Sequence, residues 1–423
     1  MGESDPHKLD GKVRSDQAGG TFAPFRHPAF RAIWIANLTT SIGATMQSVG
    51  AAWLMTDLTE SHRLVAMVQV STTLPIMLFG VFAGAIADNF DRRRVMLCAQ
   101  WGMLVVSAVL SLLTWLGYMN PGLLLALTLA VGTGTALNSP AWQASVRAQV
   151  GQKDLPQAIA LNTIAFNLAR SVGPALGGLL ISLWDVSLAF LVNAVSYVAM
   201  IVVLLRWRPQ VAPPVRQPMM PAVAAGLHFC ATSPPIRRIL IRGAALGFGV
   251  AGYQALVPAV VRDQLHGNAI DFGLMLGSFG IGSIVAALFV AKARRRFGTE
   301  AVLSAASIAF AAAQIDLALA TELAWALPAT FVAGGAWVTA LTTINVAMQM
   351  RSPDNILGRC LSIYQAITFG GMAIGAWSWG AMADWQGLPF ALCAAAGFLI
   401  ASLVLLRFLA PMPRPAEGRI DHT

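Results

Sequence analysis

The sequence predicts an all-α integral membrane protein with twelve transmembrane helices arranged as two six-helix halves. Three observations lead there. Hydrophobic residues make up 57% of the 423-residue chain and charged residues only 11%, with a mean hydropathy of +0.66. A soluble domain carries about a quarter charged residues, so lipid is the solvent for much of this chain. The apolar residues fall in runs of about twenty, the length that crosses a bilayer. The basic residues fall between the runs, mostly in alternate loops.

Residues 1–29 are polar and rich in charge, Gly and Pro, and read as a cytoplasmic tail with no signal peptide. The N-terminal six-helix half is expected at 30–207. Its runs without Asp, Glu, Lys, Arg or His are Ala32–Thr56, Leu64–Ala87 and Val95–Val146. The last is long enough for two spans, and is cut by a turn at Gly117-Tyr118-Met119-Asn120-Pro121-Gly122. Leu155–Leu183, interrupted only by Arg170, and Val186–Leu205 complete the six. Residues 208–235 hold Pro209, Pro213, Pro214, Pro218 and Pro221, the composition of a cytoplasmic linker, with Ala222–Cys230 as a short amphipathic helix. The C-terminal half, 236–409, repeats the count with Gly243–Val261, Phe272–Ala291, Ala301–Thr321, Leu323–Met350, Cys360–Ala383 and Leu388–Leu406. Residues 410–423 form a Pro-rich cytoplasmic tail.

Placing both termini in the cytoplasm puts nearly every basic residue on that side. Of 28 Lys and Arg, only Arg63 and Arg262 fall opposite, and Arg170 lies within a span. Lys and Arg collect in cytoplasmic loops, so span count and orientation support each other. The net charge of +9 is therefore a topology signal and not a nucleic-acid surface. The expected surroundings are a lipid bilayer, with both termini on its cytoplasmic side.

The halves also echo one another. Arg92-Arg93-Arg94 follows span two and Arg294-Arg295-Arg296 follows span eight. Val146-Arg147-Ala148-Gln149 precedes Asp154, and Val346-Ala347-Met348-Gln349 precedes Asp354. Cys98, Cys230, Cys360 and Cys393 form no CxxC pair, so neither a disulfide framework nor a metal site is expected. No phosphate-binding loop, nucleophile elbow or metal-ligand cluster is present to suggest an enzyme, an ATP-driven pump or a cofactor.

Two motifs carry the functional reading. Between spans two and three runs Gly84-Ala85-Ile86-Ala87-Asp88-Asn89-Phe90-Asp91-Arg92-Arg93-Arg94. Gly84 permits close helix approach. Asp88, at a helix end, can accept from a neighbouring helix N-terminus, and the arginines can pair with acidic partners. In span five runs Ala169-Arg170-Ser171-Val172-Gly173-Pro174-Ala175-Leu176-Gly177-Gly178. Pro174 removes a backbone donor, and Gly173, Gly177 and Gly178 allow tight packing. The first motif resembles the loop signature of the major facilitator superfamily, whose two six-helix halves are related along the membrane normal. Asn89 stands where a basic residue is common and Asp91 where Gly is common. The second motif resembles the Gly-Pro segment of that superfamily's drug exporters, with Ala169 in place of its first Gly. Phe30-Arg31, Asn138 through Ala144 and Asn162 through Gly178 are similar to the bacterial branch that contains the enterobactin exporter and macrolide efflux proteins.

That resemblance implies a secondary active transporter of the bacterial inner membrane. It would export a small organic molecule, such as a siderophore, drug or metabolite, by alternating access, with protons as the coupling ion in antiport. An importer, or a receptor or scaffold without net flux, is the alternative. It also implies a central cavity, surrounded by spans one, four, seven and ten and lined in part by two, five, eight and eleven. The polar residues on those spans are the candidates. They are Asn37 and Ser41, with Thr45 and Ser48, on span one; Asn138 and Gln143 on span four; and Asn162, Asn167 and Arg170 on span five. Span seven adds Tyr253 and Gln254, span ten Thr342, Asn345 and Gln349, and span eleven Tyr364, Gln365 and Thr368. Interhelical hydrogen bonding is the competing role for each. Arg170 suits either a structural pairing or recognition of an anionic substrate. Asp57 and Asp263 sit near span ends, Asp316 lies in span nine, and no span of the first half has a central carboxylate. Proton coupling thus rests on the resemblance alone.

Overall fold

The computed structural model describes residues 22–208, 219–353 and 356–412; side chains at 81, 84, 85, 87, 88 and 219–223 fall outside that description. Residues 1–21 and 413–423 of the expected tails, 209–218 of the linker, and Asp354 therefore lie outside the described residues. Thirteen α-helices account for most of the described residues. They are α1 (Pro28–Leu58), α2 (His62–Asn89), α3 (Arg92–Trp115), α4 (Pro121–Val150), α5 (Leu155–Leu183), α6 (Val186–Arg206), α7 (Met219–Thr232), α8 (Pro234–Ala259), α9 (Ala269–Phe297), α10 (Thr299–Leu319), α11 (Leu323–Gln349), α12 (Leu357–Gln386) and α13 (Leu388–Leu409). All but α7 match one expected span each.

The helices start and stop where short-range chemistry dictates. Ser61, Asp91, Asn120 and Asp185 each accept from a backbone N–H of the following turn, and Asn268 forms a full capping box with Asp271. Pro occupies the first turn of α1, α4, α5, α8 and α13, where its missing donor costs nothing. Gly151, Gly298 and Gly387 end helices with φ of 74°, 81° and 90°, a conformation that only glycine adopts without strain.

Two boundaries differ from expectation. α8 begins at Pro234, nine residues before the expected span at Gly243, so Arg237, Arg238 and Arg242 lie on the spanning helix itself. Its C-terminal end runs on through a π turn, Val260–Gln264. Ten of the long helices are apolar enough to cross a membrane by composition; α1 and α12 are not among them. These two carry polar residues on both packed and open faces, Gln47 and Ser48 on α1 and Thr368 and Gln365 on α12, which lowers their mean hydropathy without shortening them. α1 has 31 residues and α12 has 30.

Packing repeats with the sequence. Within the first bundle α1 packs on α5 and α6, α2 on α4, and α3 on α4 and α6. Within the second, α8 packs on α12 and α13, α9 on α11, and α10 on α11 and α13. These are the same five pairs, six spans later. The bundles meet along two seams, α2 with α12 and α5 with α9. For reference, the terminal face is the one bearing the start of α1 and the end of α13; the distal face bears the α1–α2 and α5–α6 connections.

One buried cluster clamps the terminal face of the second bundle. The Arg242 side chain, 4% exposed, donates from Nε to Ala410 O at 2.7 Å and from Nη2 to Leu406 O at 3.0 Å and Glu300 Oε1 at 2.9 Å. Glu300 Oε2 accepts from Met412 N at 2.9 Å. Arg242 thus gives the Ala410 carbonyl a donor past the end of α13, and adds a second donor to the Leu406 carbonyl, which already accepts from Ala410 N. Removing one partner of a buried pair costs about 3–5 kcal/mol, and the 29% exposure of Glu300 places this one at the low end. Arg242→Ala is expected to lower the melting temperature of purified protein well below that of Arg407→Ala, which removes an exposed charge from the same face.

Candidate functional site

Helix α1 is held on two sides, and the third side is what the site has to work with. Toward α6, Asn193 Nδ2 donates to Gln47 Oε1 at 2.8 Å, and a Cβ on Gly43 would come within 2.9 Å of Ser196 Oγ. Toward α5, Trp34 Nε1 donates to Leu161 O at 3.1 Å and Thr45 Oγ1 to Ala169 O at 3.2 Å. Asn37, Ser41, Ala44 and Ser48 remain, all at least partly exposed. Thr45 is therefore a packing residue and does not share the open face expected for it.

The Gly-Pro segment of α5 is packed on two sides at once. Gly173 abuts Thr45, and a Cβ on Gly177 would lie 3.0 Å from Met46 Cα, both on α1. Gly178 faces the other bundle, where a Cβ would run into Ala269 O and lie 3.1 Å from Gly273 Cα of α9. A Cβ on Gly273 would lie 2.7 Å from Pro174 O, and one on Gly280 2.6 Å from Ser171 Cα. Backbones this close admit no side chain on either helix. The second seam is similar near the distal face, where a Cβ on Gly380 of α12 would meet Arg63 Cα of α2 at 2.9 Å.

Toward the terminal face α5 and α9 separate. Their close approaches end at Gly280, and beyond it Ile159 and Phe166, on the α5 face that carries Arg170, are exposed. Arg170 sits where contact ends, its carbonyl 3.0 Å from the Cβ position of Gly280. Its guanidinium lies 5.6 Å from the Phe166 ring centroid, its one partner among the described residues. A charged side chain within a bilayer costs at least ~2.5 kcal/mol, and one cation–π contact returns about 0.5–1 kcal/mol at an exposed site. Of the two roles expected for Arg170, structural pairing finds no partner here.

The other candidates divide. Asn162 Oδ1 and Gln254 Nε2 are buried without a partner among the described residues, while Gln365 is exposed. Asn138 Oδ1 accepts from Gln100 of α3 at 3.5 Å, Asn167 donates to Thr163 O at 2.9 Å, and Gln349 donates to Asn345 Oδ1 at 2.6 Å. Gln143 is exposed and reaches Ser139 Oγ at 3.4 Å. Thr342 bonds within its own helix to Val338 O. Tyr253 and Tyr364 are not cavity residues: each is 1% exposed. Tyr253 stacks on Phe279 at 5.6 Å, and Tyr364 backs the close approach of Gly243. Thr368 is buried beside Gly243 and Gly247. Asp316 is exposed in the last turn of α10, near the distal face and not at mid-membrane. Burial, then the neighbouring Cys360, pushes the Cys230 thiol of α7 up to about 12, so this cysteine is no nucleophile.

In the loop motif Arg92 and Arg93 find carbonyls, while Arg94 Nε lies 3.9 Å from an acidic partner, Asp91 Oδ2. Arg92 Nη1 donates to Ala144 O of α4 at 2.9 Å, and Arg93 donates to Leu204 O at 2.6 Å and Leu205 O at 2.9 Å, at the end of α6. Asp91 caps α3, accepting from Arg93 N at 2.9 Å. The repeat preserves part of this, since Arg294 Nη1 donates to Thr342 O at 3.1 Å. Gly84 lies in α2, and the Asp88 carboxylate lies outside the described atoms.

A polar cluster missing from the sequence reading closes the distal face across both bundles. Asp384 of α12 accepts from Ser61 Oγ at 2.8 Å and Arg63 N at 3.3 Å, at the N-terminus of α2. The His62 ring lies between two carboxylates, 3.0 Å from Asp263 and 3.5 Å from Asp384. Arg262 Nη1 lies 3.2 Å from Asp57 Oδ1 of α1, an ion pair without hydrogen-bond alignment. A carboxylate at a helix N-terminus is favoured by the orphan N–H groups and the helix dipole. The available signal was the sparse charge of the distal loops: Asp57, Arg262 and Asp263 are among the few there.

Comparison with known proteins fits this architecture. Residues 19–418 match the family model described as transmembrane secretion effector. The enterobactin exporter EntS of Shigella boydii serotype 4 (strain Sb227) is 27% identical over 401 residues, covering 92% of this chain and 93% of that protein. EntS of Escherichia coli O1:K1 / APEC aligns to the same extent with the same identity. Among solved structures, the nucleoside transporter NupG superposes with a TM-score of 0.72 at 11% identity, covering 89% of this chain and 98% of NupG. A bacterial homologue of the iron transporter ferroportin, in an inward-facing state, superposes at 0.68 with 15% identity, covering 90% and 98%. The fold is thus that of the major facilitator transporters, and the chain belongs to their transmembrane secretion effector family.

Proposed function

We propose that this transporter exports a small organic molecule from the cytoplasm across the bacterial inner membrane, by alternating access and in exchange for protons. The observation that carries the reading is the place of the Gly-Pro segment: Gly178 lies in the α5–α9 seam, where the bundles must part and rejoin. The relatives named as enterobactin exporters support the direction. The distribution of Lys and Arg supports a cytoplasmic terminal face, with the His62–Asp263–Asp384 cluster on the outside. In this reading 30–207 and 236–409 move as two rigid bodies joined by the linker. The α5–α9 cleft, with Asn37, Ser41, Asn162 and Arg170, receives cargo.

The test is efflux from cells preloaded with dyes, macrolides or catecholate siderophores. Cells producing the protein are expected to lose at least one cargo faster, an uncoupler to abolish the difference, and Asp88→Asn to reduce it. Faster loss that an uncoupler leaves untouched would remove the proton coupling.

A further inference from the structure

The α5–α9 cleft has a chemical preference written on one wall, and we infer that it binds an organic anion, with its acidic group on Arg170 and an aromatic ring beside Phe166. This deepens the transport reading above and rests on it for the identity of the cargo. The geometry supplies three parts. Asn162, Phe166 and Arg170 recur at four-residue spacing and so share a face of α5. Arg170 stands at the closed end, where the helices meet at Gly280. Phe166 lies one turn toward the opening, and Asn162 a turn beyond that.

Each part asks for something different. A guanidinium offers a planar fork of five N–H donors, which matches a carboxylate or another planar oxyanion. Among the described residues no carboxylate lies within ion-pair distance of Arg170 and no acceptor within hydrogen-bond distance, so the fork is unspent. Phe166 is exposed at 55%, leaving ring surface for a second aromatic group. The Asn162 Oδ1 atom is buried with no donor among the described residues, and a ligand hydroxyl or amide N–H would satisfy it. Ile159, two turns from Phe166 on the same face, is apolar and exposed. The matching ligand is amphipathic: aromatic, singly or multiply anionic, with a hydrogen-bond donor one to two helical turns from the charge.

A lipid phosphate could present the same charge, so the test is built to separate the two sources. Purified protein in phosphatidylcholine nanodiscs, which contain no anionic lipid, is titrated with 2-naphthoate and with its neutral isostere 2-naphthamide. Wild type should bind the carboxylate at least about tenfold more tightly, the ratio a charge-assisted hydrogen bond supplies. Arg170→Gln should erase that preference while leaving the amide affinity unchanged, which shows that the cleft is intact. Arg170→Lys should keep part of the preference. Equal affinities in wild type, no measurable binding of either compound, or a preference that survives Arg170→Gln overturns the proposal. So does Arg170-dependent binding found only for phosphatidylglycerol added to the nanodisc. Binding has no direction, so this result stands or falls separately from any measurement of outward flux.

Discussion

Gly178→Val is expected to abolish transport while leaving a folded protein in the membrane. Gly178 meets α9 backbone to backbone, and any Cβ there would drive into the Ala269 carbonyl. A rigid, β-branched side chain cannot swing aside, so the α5–α9 seam cannot close. Overpacking costs about 1–3 kcal/mol, and here it falls only on the conformation with the distal face shut. That shifts the balance of the two states by about 5- to 150-fold, enough to strand the transporter open on the distal side. Flux should fall by a comparable factor, at least about fivefold by that arithmetic. A cysteine at Ser48, on the open face of α1, should react faster with a membrane-impermeant maleimide added from the distal side. Gly102→Val is the control: nothing lies within 4 Å of that position, so flux should be unchanged. Wild-type flux in Gly178→Val would mean that the seam does not move during transport.

Asp384→Ala is expected to loosen the same face by a different route. One substitution removes the acceptor for Ser61 Oγ and Arg63 N, and one of the two carboxylates flanking His62. Hydrogen bonds to charged groups contribute about 1.5–3 kcal/mol each when buried. The exposure of the Asp384 side chain, 31%, lowers the return. A net loss of about 1–2 kcal/mol corresponds to a five- to thirtyfold shift toward the distal-open state. The Ser48→Cys labelling assay reads it directly. His62→Ala should give a smaller effect, and the double variant should cost less than the sum, because the two side chains share one interaction. Additive effects would show that His62 and Asp384 act independently.

The sequence made the helices legible and left their faces obscure, for one physical reason. Lipid demands about twenty apolar residues per span and supplies no hydrogen bonds, so each span is announced by its own composition. The turn at Gly117–Gly122 and the caps at Asp91, Asn120 and Asp185 are local as well. Which side of a helix meets a cavity depends on neighbours that lie far away in the chain. Thr45 looks like Ser48 until Ala169 of α5 takes its hydrogen bond. Tyr253 looks like a ligand-binding tyrosine until Phe279 and Phe310 enclose it. Asn138 is drawn to Gln100, and Arg92 and Arg93 to carbonyls, which no count of acidic residues could have indicated. The distal cluster is the extreme case, since Ser61 and Asp384 are 323 positions apart. The spacing of Gly173, Gly177 and Gly178 marked close packing correctly. The structure adds that two of these face α1 and the third faces the other bundle.

The account stands most directly on the direction and driving force of flux, which vesicles of known sidedness separate. Inside-out vesicles containing the protein and energised to an acid interior should accumulate a cargo from the panel of dyes, macrolides and catecholate siderophores. That accumulation should collapse with an uncoupler and be absent in Gly178→Val. Accumulation instead in right-side-out vesicles with an acid exterior, or flux indifferent to the proton gradient, would contradict proton-driven export by this chain.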